Sequence, residues 1–206
     1  MSGVFEVMRI GILGGSFDPV HYGHLMLAER AREQLELDKV LFVPAAMSPL
    51  KPTGPVASSE ARVAMLQLAI GGNEAFEVSR VEIDRGGVSY TLDTVTAIRQ
   101  QFPQAELFLM MGADLVGQLG DWNQPEKIFA IAKPAIMNRG GYDAATAAEI
   151  EPFLTDSDSG QVAFLQMPQI ELSSSELRDR IGAGKSIRYH TPRAVEESIR
   201  AEGLYV

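Results

Sequence analysis

An α/β fold with a doubly wound parallel sheet is what this chain predicts, on three observations. Short aliphatic or β-branched runs alternate with longer amphipathic stretches along the 206 residues, the order produced when helices cover both faces of a parallel sheet. The first apolar run passes through a glycine-rich turn straight into helical spacing, the junction at which such sheets offer their strand ends to ligands. No internal repeat or low-complexity tract interrupts the pattern, and the length suits a single domain with a continuous core.

RIGIL (9–13) reads as the first strand, and HLMLAERAREQLEL as a helix with Leu25, Ala28, Ala31 and Leu35 along one side. KVLFVP (39–44) is a second strand, stopped by its proline. The segment AAMSPLKPTGPVASS, with prolines throughout, is a loop, after which EARVAMLQLAI returns to helical spacing. FEVSRVEID supplies one or two short strands, SYTLDTVTAIRQQF opens another helix, and ELFLMMGAD is a strand running directly into a turn. PAIMNR and QVAFLQM are the fifth and sixth strands, with YDAATAAEIEPFLTDSDSG between them as a surface helix and loop. SSSELRDRI and TPRAVEESIRAEG are two further helices, each behind a good capping residue. The expected product is a Rossmann-like sheet over residues 8–170 with helices on both faces and a small C-terminal helical part, 171–206, forming one domain. The turns GGSFDPVHYGH (14–24), GAD (112–114) and NRGG (138–141), with the loop after Pro44, fall at its carboxyl edge, where ligands sit.

Composition removes several function classes. Cysteine is absent, which excludes disulfides and thiolate metal sites. No apolar run approaches the roughly 20 residues of a membrane span, and MSGVFEVMRIG lacks a cationic region followed by a long apolar one. The expectation is a soluble cytoplasmic protein with no membrane partner. Met8 directly precedes the first strand, so residues 1–7 read as a dispensable extension or an alternative start. A formal charge of −9 argues against a nucleic-acid polymer, whose binding needs many Lys and Arg on phosphates. A small polyanion is still admissible if a few donors are gathered in one cleft.

The stretch GGSFDPVHYGH can make such a cleft. Gly14 and Gly15 allow close approach of the backbone and positive φ, leaving N–H groups free for an anion, and the following helix adds its positive end. His21 and His24, at i and i+3, lie on one side of the first helical turn, where both imidazoles can donate to phosphoryl oxygens. Read singly, His21 is a cap-region residue and His24 a satisfied core histidine. A zinc pair would be spaced i, i+4 with a third ligand, and the one other histidine, His190, lies in a different segment. GILGGSF also lacks the GxGxxG spacing of dinucleotide sites, and no Walker P-loop occurs. Towards the C-terminus, LSSSELR (172–178) pairs Ser173 with Glu176 as a capping box. Its first turn also offers Ser174, Ser175 and free N–H groups, with Arg178 close enough to share an anion with them.

GGSFDPVHYGH resembles the GxFDPxHxGH signature of the HxGH nucleotidyltransferase superfamily, and LSSSELR resembles its second signature, ISxSxxR. Members transfer a nucleotidyl group from ATP or CTP to a phosphate. RGGVSYTLDTV (85–95), MMGADLVGQLGDWNQPEKIF (110–129) and then MNRGGY are similar, in order and spacing, to the bacterial nicotinate mononucleotide adenylyltransferase family. The resemblance spans most of the chain. It implies His21 and His24 as catalytic donors and an ATP site of Gly14, Gly15, Ser16, Phe17, Gly112, Asp114, Ser173, Ser175 and Arg178. It further implies an acceptor site of Ser16, Lys51, Tyr90, Thr91, Trp122 and Arg139, with Mg²⁺ accompanying ATP and no dedicated metal ligands.

The same residues have plainer readings. Trp122, the only tryptophan, could pack a loop, whereas the family stacks the acceptor's pyridinium on it. Ser89-Tyr90-Thr91 could only cap a helix, whereas in the family this turn meets the nicotinate carboxylate. Asp114 could be a cap, and Lys51 and Arg139 solvated loop residues. Two positions depart from the family: Leu50 stands where a histidine is usual, and Gly140 where a proline is usual. The rival readings are a transferase using the mononucleotide's amide or phosphopantetheine, a non-catalytic nucleotide sensor, and a Rossmann oxidoreductase. Acid-to-amide preference and a homo-oligomeric partner are left open by the sequence.

Overall fold

The computed structural model describes residues 7–47, 49, 53–139, 146–154, 162–168 and 170–206. Its centre is a six-stranded sheet in the order β3-β2-β1-β4-β5-β6, with every neighbouring pair parallel. The strands are β1 (Arg9–Gly15), β2 (Lys39–Pro44), β3 (Phe76–Val78), β4 (Glu106–Gly112), β5 (Lys133–Arg139) and β6 (Ala163–Met167). The chain winds outward from β1 to β3, then crosses back to lay β4 on the other side of β1. Those two adjacent strands leave the sheet towards opposite sides, which opens a crevice at their carboxyl ends.

Period-two alternation sorts the strand side chains between two cores. Leu13, Phe42, Phe108, Met110 and Met137 face one side. There they meet α1 (Tyr22–Gln34), α2 (Ser59–Ile70), α7 (Ser174–Gly182) and α8 (Arg193–Glu202). Ile10, Ile12, Leu41, Leu109 and Ile136 face the other side. They are covered by α4 (Thr91–Gln101), a 3₁₀ segment (Ala113–Asp121), α5 (Pro125–Ile131) and the short α6 (Ala147–Ile150). The C-terminal helices share the first core, since Val195 and Ile199 of α8 pack in one cluster with Met65 and Leu66 of α2. Among the described residues no helix is long and apolar enough to cross a membrane.

Three local expectations change. The second half of FEVSRVEID is a short helix, α3 (Val81–Arg85). Its alternation of apolar and acidic residues imitates a strand, but Gly86 at φ 69° ends a helical turn and Glu82 turns inward to Thr94. The stretch after β4, read only as a turn, carries the 3₁₀ segment and α5. Gly14 and Gly15 do not take positive φ. They continue β1 in register with Val43 and Pro44, and the left-handed residue of this turn is Phe17, at φ 47°.

Candidate active site

Residues 16–21 leave β1 with no regular structure, so their carbonyls need partners from elsewhere. Distant elements supply them. Arg62 Nη1 of α2 donates to the Ser16 carbonyl at 2.9 Å, and Arg178 Nη1 of α7 donates to that of Asp18 at 2.7 Å. Ser174 Oγ donates to the Pro19 carbonyl at 2.8 Å and Thr191 Oγ1 to that of Val20 at 2.8 Å. The Tyr22 amide donates in turn to the carbonyl of His190 at 3.0 Å. Asp18 is the hub on the side-chain side. It is 2% exposed and accepts the Val56 amide at 2.7 Å, the Ala57 amide at 3.1 Å and the Tyr205 hydroxyl at 2.7 Å.

On this anchored loop the two histidine rings stack at 3.7 Å between centroids, and His24 meets the edge of Phe17 at 4.9 Å. Gly23 is needed for that stack, because a Cβ there would lie 2.9 Å from Nδ1 of His21. The His21 amide donates to His24 Nδ1 at 3.3 Å. An accepting Nδ1 carries no proton, so the neutral His24 ring has its N–H at Nε2.

The histidines line a cleft of about 740 Å³. Gly15, Ser16 and Asp114 form one wall, and Ser173, Ser175 and Arg178 of the second motif the other. Ser173 also caps α7, accepting the Glu176 amide at 3.1 Å. Arg178 reaches Ser175 Oγ at 3.2 Å and is 26% exposed, so part of its fork still faces the cleft. Phe17 does not line this cleft: its ring is 1% exposed, in the core between His24 and Phe42. The residue acts on the site by holding the loop.

A second hollow, of about 1100 Å³, opens on the other side of the β1 end. Tyr90, Thr91, Trp122 and Glu82 line it, and it shares Gly15, Ser16, Ala45 and Asp114 with the first. The two hollows are halves of one crevice over the β1–β4 crossover point. Gly14 belongs to the second half, and a Cβ on it would meet nothing within 4 Å, so packing does not demand glycine there. At Gly112 a Cβ would collide with the carboxylate of Asp114, which folds back over it. Tyr90 is the N-cap of α4 and makes no side-chain cap bond, which leaves first-turn N–H groups available to an anion. Ser89 fixes this turn to the loop after β2, donating its amide to Met47 at 2.8 Å and accepting that of Ala46 at 3.2 Å. The indole Nε1 of Trp122 is buried and has no hydrogen-bond partner among the described residues.

Thus His21, His24, Ser173, Ser175 and Arg178 gather in one half, Tyr90, Thr91 and Trp122 in the other, and Ser16 and Asp114 at the join. Lys51, Leu50 and Gly140 lie outside the described residues. Arg139 ends β5, and its side chain is likewise outside what is described. Sequence reasoning missed Arg62, Tyr205 and Thr191. Arg62 alone left a signal, as the single charge within the apolar run ARVAMLQLAI. It is 1% exposed, and burial pushes its guanidinium below the ordinary value against the pull of Asp18.

The cytidylyltransferase-like family matches residues 12–180. A curated relative from Rhodopirellula baltica, named "Probable nicotinate-nucleotide adenylyltransferase", is 46% identical over 95% of this chain and 92% of its own. One of the same name from Thermus thermophilus is 45% identical over 96% of this chain and 100% of its own. Among solved structures, the Plasmodium falciparum nicotinic acid mononucleotide adenylyltransferase complexed with NaAD superposes with a TM-score of 0.77 at 18% identity, covering 96% of this chain and 97% of that one. At that identity the likeness speaks for the fold.

Proposed function

Since this chain belongs to the cytidylyltransferase-like family and, within it, to the nicotinate-nucleotide adenylyltransferases, we propose that it transfers the adenylyl group of ATP to nicotinate mononucleotide, giving deamido-NAD and pyrophosphate. The observation that carries this reading is the single two-part crevice. The phosphate motifs occupy one half, a helix N-terminus and an indole the other, and the halves meet at Gly15, Ser16 and Asp114.

The acceptor's phosphate monoester has a second pKa of about 6, so it is largely dianionic at neutral pH. No side chain has to remove a proton from it. Its oxygen attacks the α-phosphorus of ATP, the new P–O bond forms in line, and the bond to the bridging oxygen breaks with its electrons leaving on pyrophosphate. The protein's work is positioning and charge stabilisation. His24, through the Nε2–H of its neutral ring, and His21 donate to the α or bridging oxygens. Gly15 and Ser16 orient the phosphates, and Ser173, Ser175 and Arg178 hold the β and γ groups. Tyr90 and Thr91 at the α4 N-terminus receive the nicotinate carboxylate, while Trp122 stacks on the pyridinium ring. Among the described residues no three acidic or histidine side chains form a metal cage. Mg²⁺ brought in with ATP would supply charge neutralisation beside Ser173, Ser175 and Arg178.

The test is a coupled pyrophosphate assay with Mg·ATP and, separately, nicotinate mononucleotide, its amide and phosphopantetheine. Release with the nicotinate compound at the highest kcat/KM is expected. Release only with phosphopantetheine, or with none of the three, would overturn the assignment.

A further inference from the structure

Tyr205 lies 187 residues from Asp18 in the chain, yet its hydroxyl donates to Asp18 Oδ1 at 2.7 Å. Tyr205 itself holds φ at 67°, and Phe17, next to Asp18, holds φ at 47°. Non-glycine residues in this region persist only where their surroundings over-determine them. Tyr205 and the residue preceding Asp18 are therefore both held in costly backbone conformations, and the hydrogen bond ties the two turns together.

Asp18 relays the contact to the site along two short routes. Its Oδ2 accepts the Val56 amide at 2.7 Å, and Val56 follows the Thr53-Gly54-Pro55 wall of the phosphate half. The same oxygen lies 3.9 Å from Nη1 of Arg178, which donates to the Asp18 carbonyl at 2.7 Å. On the far side Arg62 holds the Ser16 carbonyl at 2.9 Å, and the charge of Asp18 favours its guanidinium's protonated form against burial. Tyr205, Asp18 and Arg178 form one polar network around the buried carboxylate, in which deleting one bond loosens the others. Burial first, and then the bond to Asp18, push the Tyr205 hydroxyl far above the ordinary tyrosine value, so it stays a donor across the working pH range.

From this geometry we infer that Tyr205 is a positioning residue for the ATP half: its hydroxyl latches Asp18, and through Asp18 sets Arg178 and the 53–57 wall at the spacing the triphosphate needs. The inference rests on the assignment of that half to ATP. The latch does not reach Tyr90, Thr91 or Trp122, so the acceptor half is spared.

Tyr205→Phe keeps the ring and its packing and removes only the donor. Steady-state kinetics of the full chain should show kcat/KM for ATP lowered about tenfold or more, the scale of a small misplacement of phosphate ligands, with KM for nicotinate mononucleotide unchanged. Asp18→Asn combined with Tyr205→Phe should lose no more than Asp18→Asn alone, because one relay serves both. A Phe variant with wild-type kinetics, or with equal losses towards both substrates, overturns the latch even if its melting temperature falls. Failure of the wild-type protein to turn over ATP would instead refute the assignment of the cleft. If the Asn variant does not fold, the single Phe variant still decides.

Discussion

His24 is fixed for the donor role proposed for it by neighbours on its own turn: the His21 amide occupies Nδ1, and Phe17 and His21 hold the ring on two sides. The remaining nitrogen is a donor within the phosphate half of the crevice. Replacing it should remove a transition-state contact while the core persists. His24→Ala is expected to lower kcat by about two orders of magnitude or more with the circular dichroism spectrum retained. Normal turnover by the folded variant would take His24 out of the mechanism. The i, i+3 histidines and their glycine were legible in the sequence because their interactions are local. The burial of Phe17 was not, since the same residue in the same motif could equally have faced a ligand.

Among the elements, α7 and the segment leading into α8 act less as a covering layer than as a set of donors to the loop after β1. Ser174, Arg178 and Thr191 each satisfy one of its carbonyls, across separations of 155, 160 and 171 residues. Thr191 is 2% exposed, so its loss strands a buried acceptor. Thr191→Val should cost about 1–3 kcal/mol, measured as a lower denaturant midpoint with an unchanged m-value; an unaltered midpoint would mean that the Val20 carbonyl finds another partner. Helical spacing made both C-terminal helices legible, and the Ser173 cap holds for α7, whereas α8 starts behind Pro192 with no side-chain cap. The donor role was hidden, because a Ser or Thr at a helix start reads as a cap whatever else it holds. VEIDR erred the other way: five residues are too few for periodicity to separate a strand from a helical turn, and the contact of Glu82 with Thr94 decided it.

Across the whole molecule, function follows from placing β1 beside β4. That adjacency brings Gly15 and Ser16 against Asp114 and divides one crevice into two halves, the ones proposed for the triphosphate and for the acceptor. The proposed triphosphate site is compatible with an acidic chain, because its donors converge while the net charge of −9 is carried by the molecule as a whole. A ligand that bridges α7 and the β1 loop binds only the folded chain. A non-hydrolysable ATP analogue with Mg²⁺, at about a hundred times its Kd, should add about 2.7 kcal/mol. For a chain of this size that raises Tm by about 5–10 °C. A melting curve that the analogue leaves in place would show that the crevice does not take a triphosphate.

By itself the sequence determined the alternation of strands and helices, the two motifs GGSFDPVHYGH and LSSSELR, and the helix-opening turn at Ser89 to Thr91. Each of these depends on neighbours within a few residues, so periodicity, caps and motif spacing record them. Only the tertiary structure decided the strand order, the division of the crevice, and the partners of the Ser16, Asp18, Pro19 and Val20 carbonyls. Those depend on which distant segments meet once long stretches of chain have closed. Arg62 and Tyr205, 46 and 187 residues from the atoms they hold, carry no local mark of that meeting beyond a charge in an apolar helix and a tyrosine in a tail.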